Sequence, residues 1–249
     1  MNADSLPLVL RTALAERQVF NPDGQKVPLG SNISPEEALD LYRAVRDLKP
    51  EVSLEVGFAH GVSALAILQA LEDNQRGHHH VMDPFQGNYG RCGLAMVGRA
   101  GLAPRMTFHE KFAEEVIPSL AGVDFAFIDS SHLFDLTVCE FVLVDKKLRV
   151  GGVVGFHDMW MPAQQAFIRY LLANRAYEIY HPPASPRARA GRDHPLKRSL
   201  RRAAAMLPRA EQVFAPDFLK PWGEFALGNL VLVRKRKHDD RDWTWHRRF

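Results

Sequence analysis

Cysteine is nearly absent. Cys92 and Cys139 are the only two in 249 residues, and neither belongs to a CxxC or a Cys/His ligand set. A disulfide scaffold is therefore excluded, and two reduced, buried thiols are expected. No apolar run approaches the roughly 18 residues of a membrane span, so no membrane partner is expected. The opening Met1-Asn-Ala-Asp-Ser-Leu lacks the basic-then-apolar pattern of a secretory signal, and a cytoplasmic location is expected. Charge of one sign is also lacking: 32 Lys and Arg against 29 Asp and Glu leave +3, too little to imply nucleic acid. No repeat of roughly 20–50 residues occurs, which excludes solenoids and propellers. What is present, 46% hydrophobic and 24% charged residues, is the makeup of one globular domain.

Short β-like runs alternate with helical patterns. Ser34-Pro35-Glu36-Glu37 is a capping box with proline at the first helical position, and the helix it opens ends at Lys49-Pro50. Strands are expected over 52–56, 80–83, 105–109, 123–129 and 152–158, with a buried helix from Val62 to Leu71. Phe134, Val138, Phe141, Val144 and Leu148 recur at helical steps, and another helix follows Met161. Strand-to-strand gaps of this size indicate βαβ units and a parallel sheet covered on both faces. A final pair of strands is expected over 177–180 and 225–233. His78-His79-His80 cannot converge on one ion, because neighbours on a strand point to opposite faces, and reads as a polar approach to the second strand.

The turn after the first strand reads Glu55-Val-Gly57-Phe-Ala-His-Gly61. Such a turn presents backbone N–H groups and a positive helix end at the carboxyl edge of the sheet, where open α/β folds bind ligands. Its spacing is not the G-x-G-x-x-G of a dinucleotide fold, and no phosphate-cradling G-x-x-x-x-G-K-[ST] exists. An acid beside the turn repels a pyrophosphate and attracts a cation. Asp83 ends the second strand, where a carboxylate can take both ribose hydroxyls.

Glu55-x-Gly57-x-x-x-Gly61, Asp83, Phe127-Ile-Asp129-Ser-Ser-His132 and the run from Leu148 to His157-Asp158 resemble the class I S-adenosylmethionine-dependent methyltransferases. More narrowly, they are similar to bacterial small-molecule O-methyltransferases. The resemblance implies a doubly wound, mostly parallel seven-stranded sheet, Rossmann-like, whose last strand is antiparallel. It implies that Glu55, Gly57, Gly61 and Ser63 hold the methionine part of S-adenosylmethionine and that Asp83 binds the ribose. Lys111 and Phe112 would lie near the adenine, and Asp129 under the sulfonium. The core would span 34–180 and 225–236, with an insertion at 181–221 and a tail at 237–249.

Asp129, His132, His157 and Asp158 all fall at the ends of strands four and five, facing the cofactor crevice. Methyl transfer to a hydroxyl needs a base, or a cation that lowers the hydroxyl pKa. His132 is the candidate base, since histidine titrates near neutrality, and Asp129 is a catalytic candidate beside it. Capping of the next helix, or positioning of a water, is the alternative for His132. Asp129 and Asp158 are candidate ligands for a divalent metal such as magnesium. Metal-dependent relatives carry an acidic or amide pair where this chain has His157-Asp158. A structural bond to a neighbouring loop is the alternative for His157, and helix N-capping the alternative for Asp158.

Residues 181–210 hold eight Lys and Arg against one acid. Three readings stay open: a solvated or oligomer-contacting surface, a lid over the acceptor, or a nucleic-acid surface. No aromatic interleaves the charge, so nucleic acid is not the expected partner. Trp243 and Trp245 are expected to pack on the body or on a second subunit. The expected function is O-methylation of a small-molecule hydroxyl, on a sugar or phenolic metabolite. An RNA methyltransferase and a non-catalytic nucleoside-binding module are the alternatives.

Overall fold

The computed structural model describes residues 3–183, 185, 195–207, 209–210, 219, 222 and 227–249. The chain opens with helix α1 (Leu8–Glu16) and a hairpin of strands β1 (Gln18–Phe20) and β2 (Lys26–Pro28). Helix α2 (Pro35–Leu48) follows, then β3 (Val52–Val56), α3 (Val62–Asp73), β4 (His78–Met82), α4 (Cys92–Arg99) and β5 (Met106–His109). The second half runs α5 (Ala113–Val116), β6 (Val123–Ile128), α6 (Phe134–Lys147), β7 (Leu148–Phe156), α7 (Pro162–Asn174), β8 (Tyr177–Ile179), α8 (Pro195–Ala205) and β9 (Val231–Lys235).

Seven strands form one sheet in the order β5-β4-β3-β6-β7-β9-β8. The first five are parallel, and β9 enters antiparallel between β7 and β8. This is the sheet expected from the motifs. Strand order reverses between β3 and β6, so the loops that leave these two strands open the crevice at the switch point.

Side-chain alternation builds a layer on each face. Phe125 and Phe127 of β6 join Val62, Leu65 and Leu41 on one side. Ala126 and Ile128 join Phe141, Phe167 and Ile168 on the other. Each fully buried phenylalanine contributes roughly 1.5–3 kcal/mol, and Phe141, Phe156 and Phe167 pack ring against ring at 5.0–6.3 Å. The N-terminal residues belong to the first layer too: Leu6, Leu10, Val19, Leu29 and Ile33 are buried in it.

The capping box of α2 forms as expected. Glu37 N donates to Ser34 Oγ at 3.3 Å, and Ser34 N donates to Glu37 Oε2 at 2.7 Å. Other expectations need correction. His78 and His79 lie inside β4 with His80 rather than before it, with His79 buried on one face and His78 against His80 on the other. Strand β7 begins at Leu148 and ends at Phe156, because Gly151 and a register shift opposite Val123/Phe125 let the chain pair earlier. The last strand starts at Val231 rather than 225; residues 227–230 instead form a loop bonded to Met159 and Trp160, and 225–226 lie outside the described residues.

Cys92 is buried, but Cys139 is exposed, because α6 turns Thr137, Phe141 and Val144 inward and position 139 out. Phe134, in the first turn of that helix, stays 38% exposed. Trp243 is 93% exposed and does not pack on the body. The tail is held instead where Asn174 bonds both main-chain groups of Arg247. Much of the expected insertion at 181–221 lies outside the described residues. No described helix is long and apolar enough to cross a membrane.

Candidate active site

The β3–α3 loop is shaped by its neighbour. Gly57 has φ +90°, and a Cβ there would lie 2.1 Å from the Asp129 carbonyl oxygen. Glycine is required where β3 and β6 part. Gly61 has φ +78° and caps α3, with Phe58 and Gly93 close against it.

Asp83 secures this loop. Its Oδ2 accepts from Phe58 N at 3.2 Å, Ala59 N at 3.1 Å and Gln86 Nε2 at 3.0 Å, and its Oδ1 accepts from Phe85 N at 2.8 Å. Oδ1 keeps an acceptor site for a ribose hydroxyl. Beside it, Gln86 Oε1 is buried with no hydrogen-bond partner among the described residues, and a hydroxyl donor would satisfy it. Phe85 and Phe112, 54% and 47% exposed, meet edge to face at 5.8 Å at the same edge, and Lys111 is exposed next to them. Ribose acceptors and an aromatic lip thus stand together, and they fit a nucleoside.

Glu55 lies deeper than its motif suggests. It is fully buried, accepts a hydrogen bond from Ser63 Oγ, and has His79 Nε2 3.3 Å from its Oε2. Burial pushes the Glu55 carboxyl well above its usual range, and the nearby charges of Asp129 and Asp83 add to this. Burial holds His79 down to about 3. With His79 uncharged, the contact is a hydrogen bond beneath the loop rather than an ion pair. For Glu55 to meet an amine, the Ser63 contact must open.

The second half of the site gathers at the ends of β6 and β7. His132 and Asp158 both adopt left-handed backbone, φ +57° and +56°, which turns their side chains toward Asp129. His132 Nε2 lies 3.3 Å from Asp158 Oδ2 and 3.7 Å from Asp129 Oδ1. One ligand atom from each residue falls within 4.8 Å of the others. All three side chains are partly exposed, at 20–24%. Neither capping alternative applies: Leu133 and Met161 occupy the N-cap positions of α6 and α7.

His157 has both roles weighed for it, bonding a distant loop and touching the site. Its Nδ1 lies 3.3 Å from Asp129 Oδ1 and 3.4 Å from Asp158 Oδ1, and its Nε2 lies 3.4 Å from Glu37 Oε2. Burial opposes charge on this ring, but the bonds to Asp129 and Glu37 outweigh it and raise His157 to about 10. Burial likewise opposes charge on Glu37, and the bond from His157 leads the interactions that lower it to about 2. His157 thus props the carboxylates from behind, with both ring nitrogens engaged. Asp129, His132 and Asp158 offer two hard oxygens and one nitrogen, a set that fits a divalent ion.

A cleft of about 530 Å³ reaches this cluster, bounded by Arg17, Leu29, Asn32, Glu37, His157 and Asp158. Trp160, 66% exposed, donates its indole N–H to Asp158 Oδ1 at 2.9 Å. Sequence reasoning gave Glu37 only a capping role and passed over Phe85, Gln86, Trp160 and Asn229. Of these, only the aromatics beside a motif carried a local signal.

Comparisons with known proteins bear on the fold that carries these residues. Residues 54–159 match a family described as a methyltransferase domain. No curated protein matches the chain. Among solved structures, an O-methyltransferase from Bacillus cereus in complex with SAH is 17% identical, with TM-score 0.56, covering 72% of this chain and 84% of that one. SAH-bound methyltransferase PaMTH1 from Podospora anserina is 17% identical, with TM-score 0.56 and coverage of 72% and 85%. The O-methyltransferase TomG from Streptomyces achromogenes, in complex with SAM, is 20% identical, with TM-score 0.50 and coverage of 60% and 73%. The family match over residues 54–159 and the sheet order agree with the motif-based reading of the fold: the chain has the class I methyltransferase fold.

Proposed function

We propose that the protein methylates a hydroxyl of a small molecule, a sugar or a phenolic metabolite, using S-adenosylmethionine. The observation that carries this is the convergence of Asp129, His132 and Asp158 beside the Gly57–Gly61 loop. The SAM- and SAH-bound O-methyltransferases of the same fold support it.

When bound, the cofactor supplies an electrophilic methyl on a sulfonium and departs as a neutral thioether. Asp83 and Gln86 take the ribose, Phe112 and Lys111 flank the adenine, and the loop with Glu55 and Ser63 meets the methionine end. Asp129 faces the sulfonium. The acceptor enters through the cleft at Glu37 and Asp158, and His132 Nε2 takes its proton. Asp129 and Asp158, within 4 Å of that nitrogen, stabilise the imidazolium that results. A divalent ion held by Asp129 and Asp158 would lower the hydroxyl pKa further. The reading keeps a cytoplasmic location.

The test is SAH formation from SAM over a panel of phenols, catechols and sugars, with and without magnesium. Turnover on at least one hydroxyl, lost in His132→Ala, is expected. SAM binding without turnover on any acceptor would leave a nucleoside-binding module instead.

A further inference from the structure

Helix α8 has no part in methyl transfer as described. Its apolar residues recur at Leu196, Leu200 and Ala203, with Leu207 one turn on, steps that keep to one stripe of a helix. The stripe faces outward: Leu196 is 63% exposed, Leu200 58% and Leu207 54%, with Met206 beside them at 82%. The helix meets the body by another side, where Arg201 and Ala204 are buried. Leu196 and Leu200 on the helix and Leu207 just past its end leave apolar side chains on the surface, which a purely solvated helix does not need. The segment around them is cationic, with eight Lys and Arg and one acid over 181–210, while the rest of the chain carries −4. Arg202 and Arg209 are exposed.

We propose that α8 is an interfacial helix that docks the protein on an anionic lipid surface. Charge and apolarity together select this occupant. The leucines enter the headgroup–acyl boundary while the cations meet anionic headgroups. A nucleic acid would answer the cations and leave the leucines in water. A second copy, joined stripe to stripe, would cover the leucines but bring two cationic segments together. The expectation of no membrane partner rested on the lack of a spanning run, and a helix lying in the interface needs none. The proposal is independent of the methyl-transfer reading.

The test is co-sedimentation of the full chain with vesicles of phosphatidylcholine alone and of phosphatidylcholine mixed with phosphatidylglycerol. Binding to the mixed vesicles only, falling as salt rises, is expected. Leu200→Asp with Leu207→Asp should weaken it at least about tenfold while the thermal midpoint holds. Arg202→Glu with Arg209→Glu should weaken it without touching the stripe. No binding to the mixed vesicles, or equal binding by both double variants, overturns the proposal. So does a dimer in light scattering that the leucine variant alone dissolves, with no vesicle binding, since the stripe then serves a second copy.

Discussion

Glu37 Oε2 accepts the Ser34 main-chain N–H at 2.7 Å and lies 3.4 Å from His157 Nε2, so one carboxylate both starts helix α2 and steadies the histidine behind the Asp129–Asp158 cluster. The contact spans 120 residues of chain. It joins the N-terminal side of the cleft to the carboxyl edge of the sheet.

The pair sets a pH window. His157 is raised from 6.5 to about 10, so its contribution is full below 6.5 and is lost as pH rises through about 10. Glu37 is lowered from 4.5 to about 2, so its contribution is full above 4.5 and is lost as pH falls through about 2. Glu37→Gln should cost about 1 kcal/mol near pH 6, about 2–4 °C in Tm, and progressively less above pH 9. A thermal melt series over pH checks this. An equal cost at every pH would remove the ionic contribution.

His132→Ala should lower kcat by about 10²–10⁴ and leave SAH affinity within about twofold. Single-turnover kinetics and calorimetry separate the two. Collapse of SAH binding would make His132 a structural residue.

Asp83→Ala should weaken SAH binding about tenfold or more, from a charged hydrogen bond of roughly 1.5–3 kcal/mol. It also frees the Phe58 and Ala59 amides, so amide exchange in the loop should quicken. Unchanged affinity by calorimetry would take the ribose away from Asp83.

Gly57→Ala drives a Cβ into the Asp129 carbonyl at a φ that alanine disfavours, and should cost about 2–4 kcal/mol in chemical unfolding. A neutral outcome would mean that β3 and β6 part more widely than described.

Much of this was legible locally. The Ser34-Pro35-Glu36-Glu37 capping box, the 52–56 strand and the spacing of Phe141 and Val144 are short-range signals, and each became the element expected. The hairpin over 18–28 was passed over, although Asn21-Pro22-Asp23-Gly24 is a turn signal between its strands. His79 inside a strand was unreadable because Ser53 and Glu55, both on a neighbouring strand, are what hold the buried imidazole there. His157 was ambiguous for the same reason: Glu37, which holds it, is far away in sequence. Residue types named the chemistry, but tertiary neighbours decided which groups carry charge.

The most direct measurement is a crystal structure with SAH bound. Density between the Gly57–Gly61 loop and the Phe85–Phe112 pair, with the ribose on Asp83 and the sulfur toward Asp129, is predicted. Saturating SAH that leaves this crevice closed, with Glu55 still capped by Ser63 and the ligand elsewhere or absent, would contradict the account.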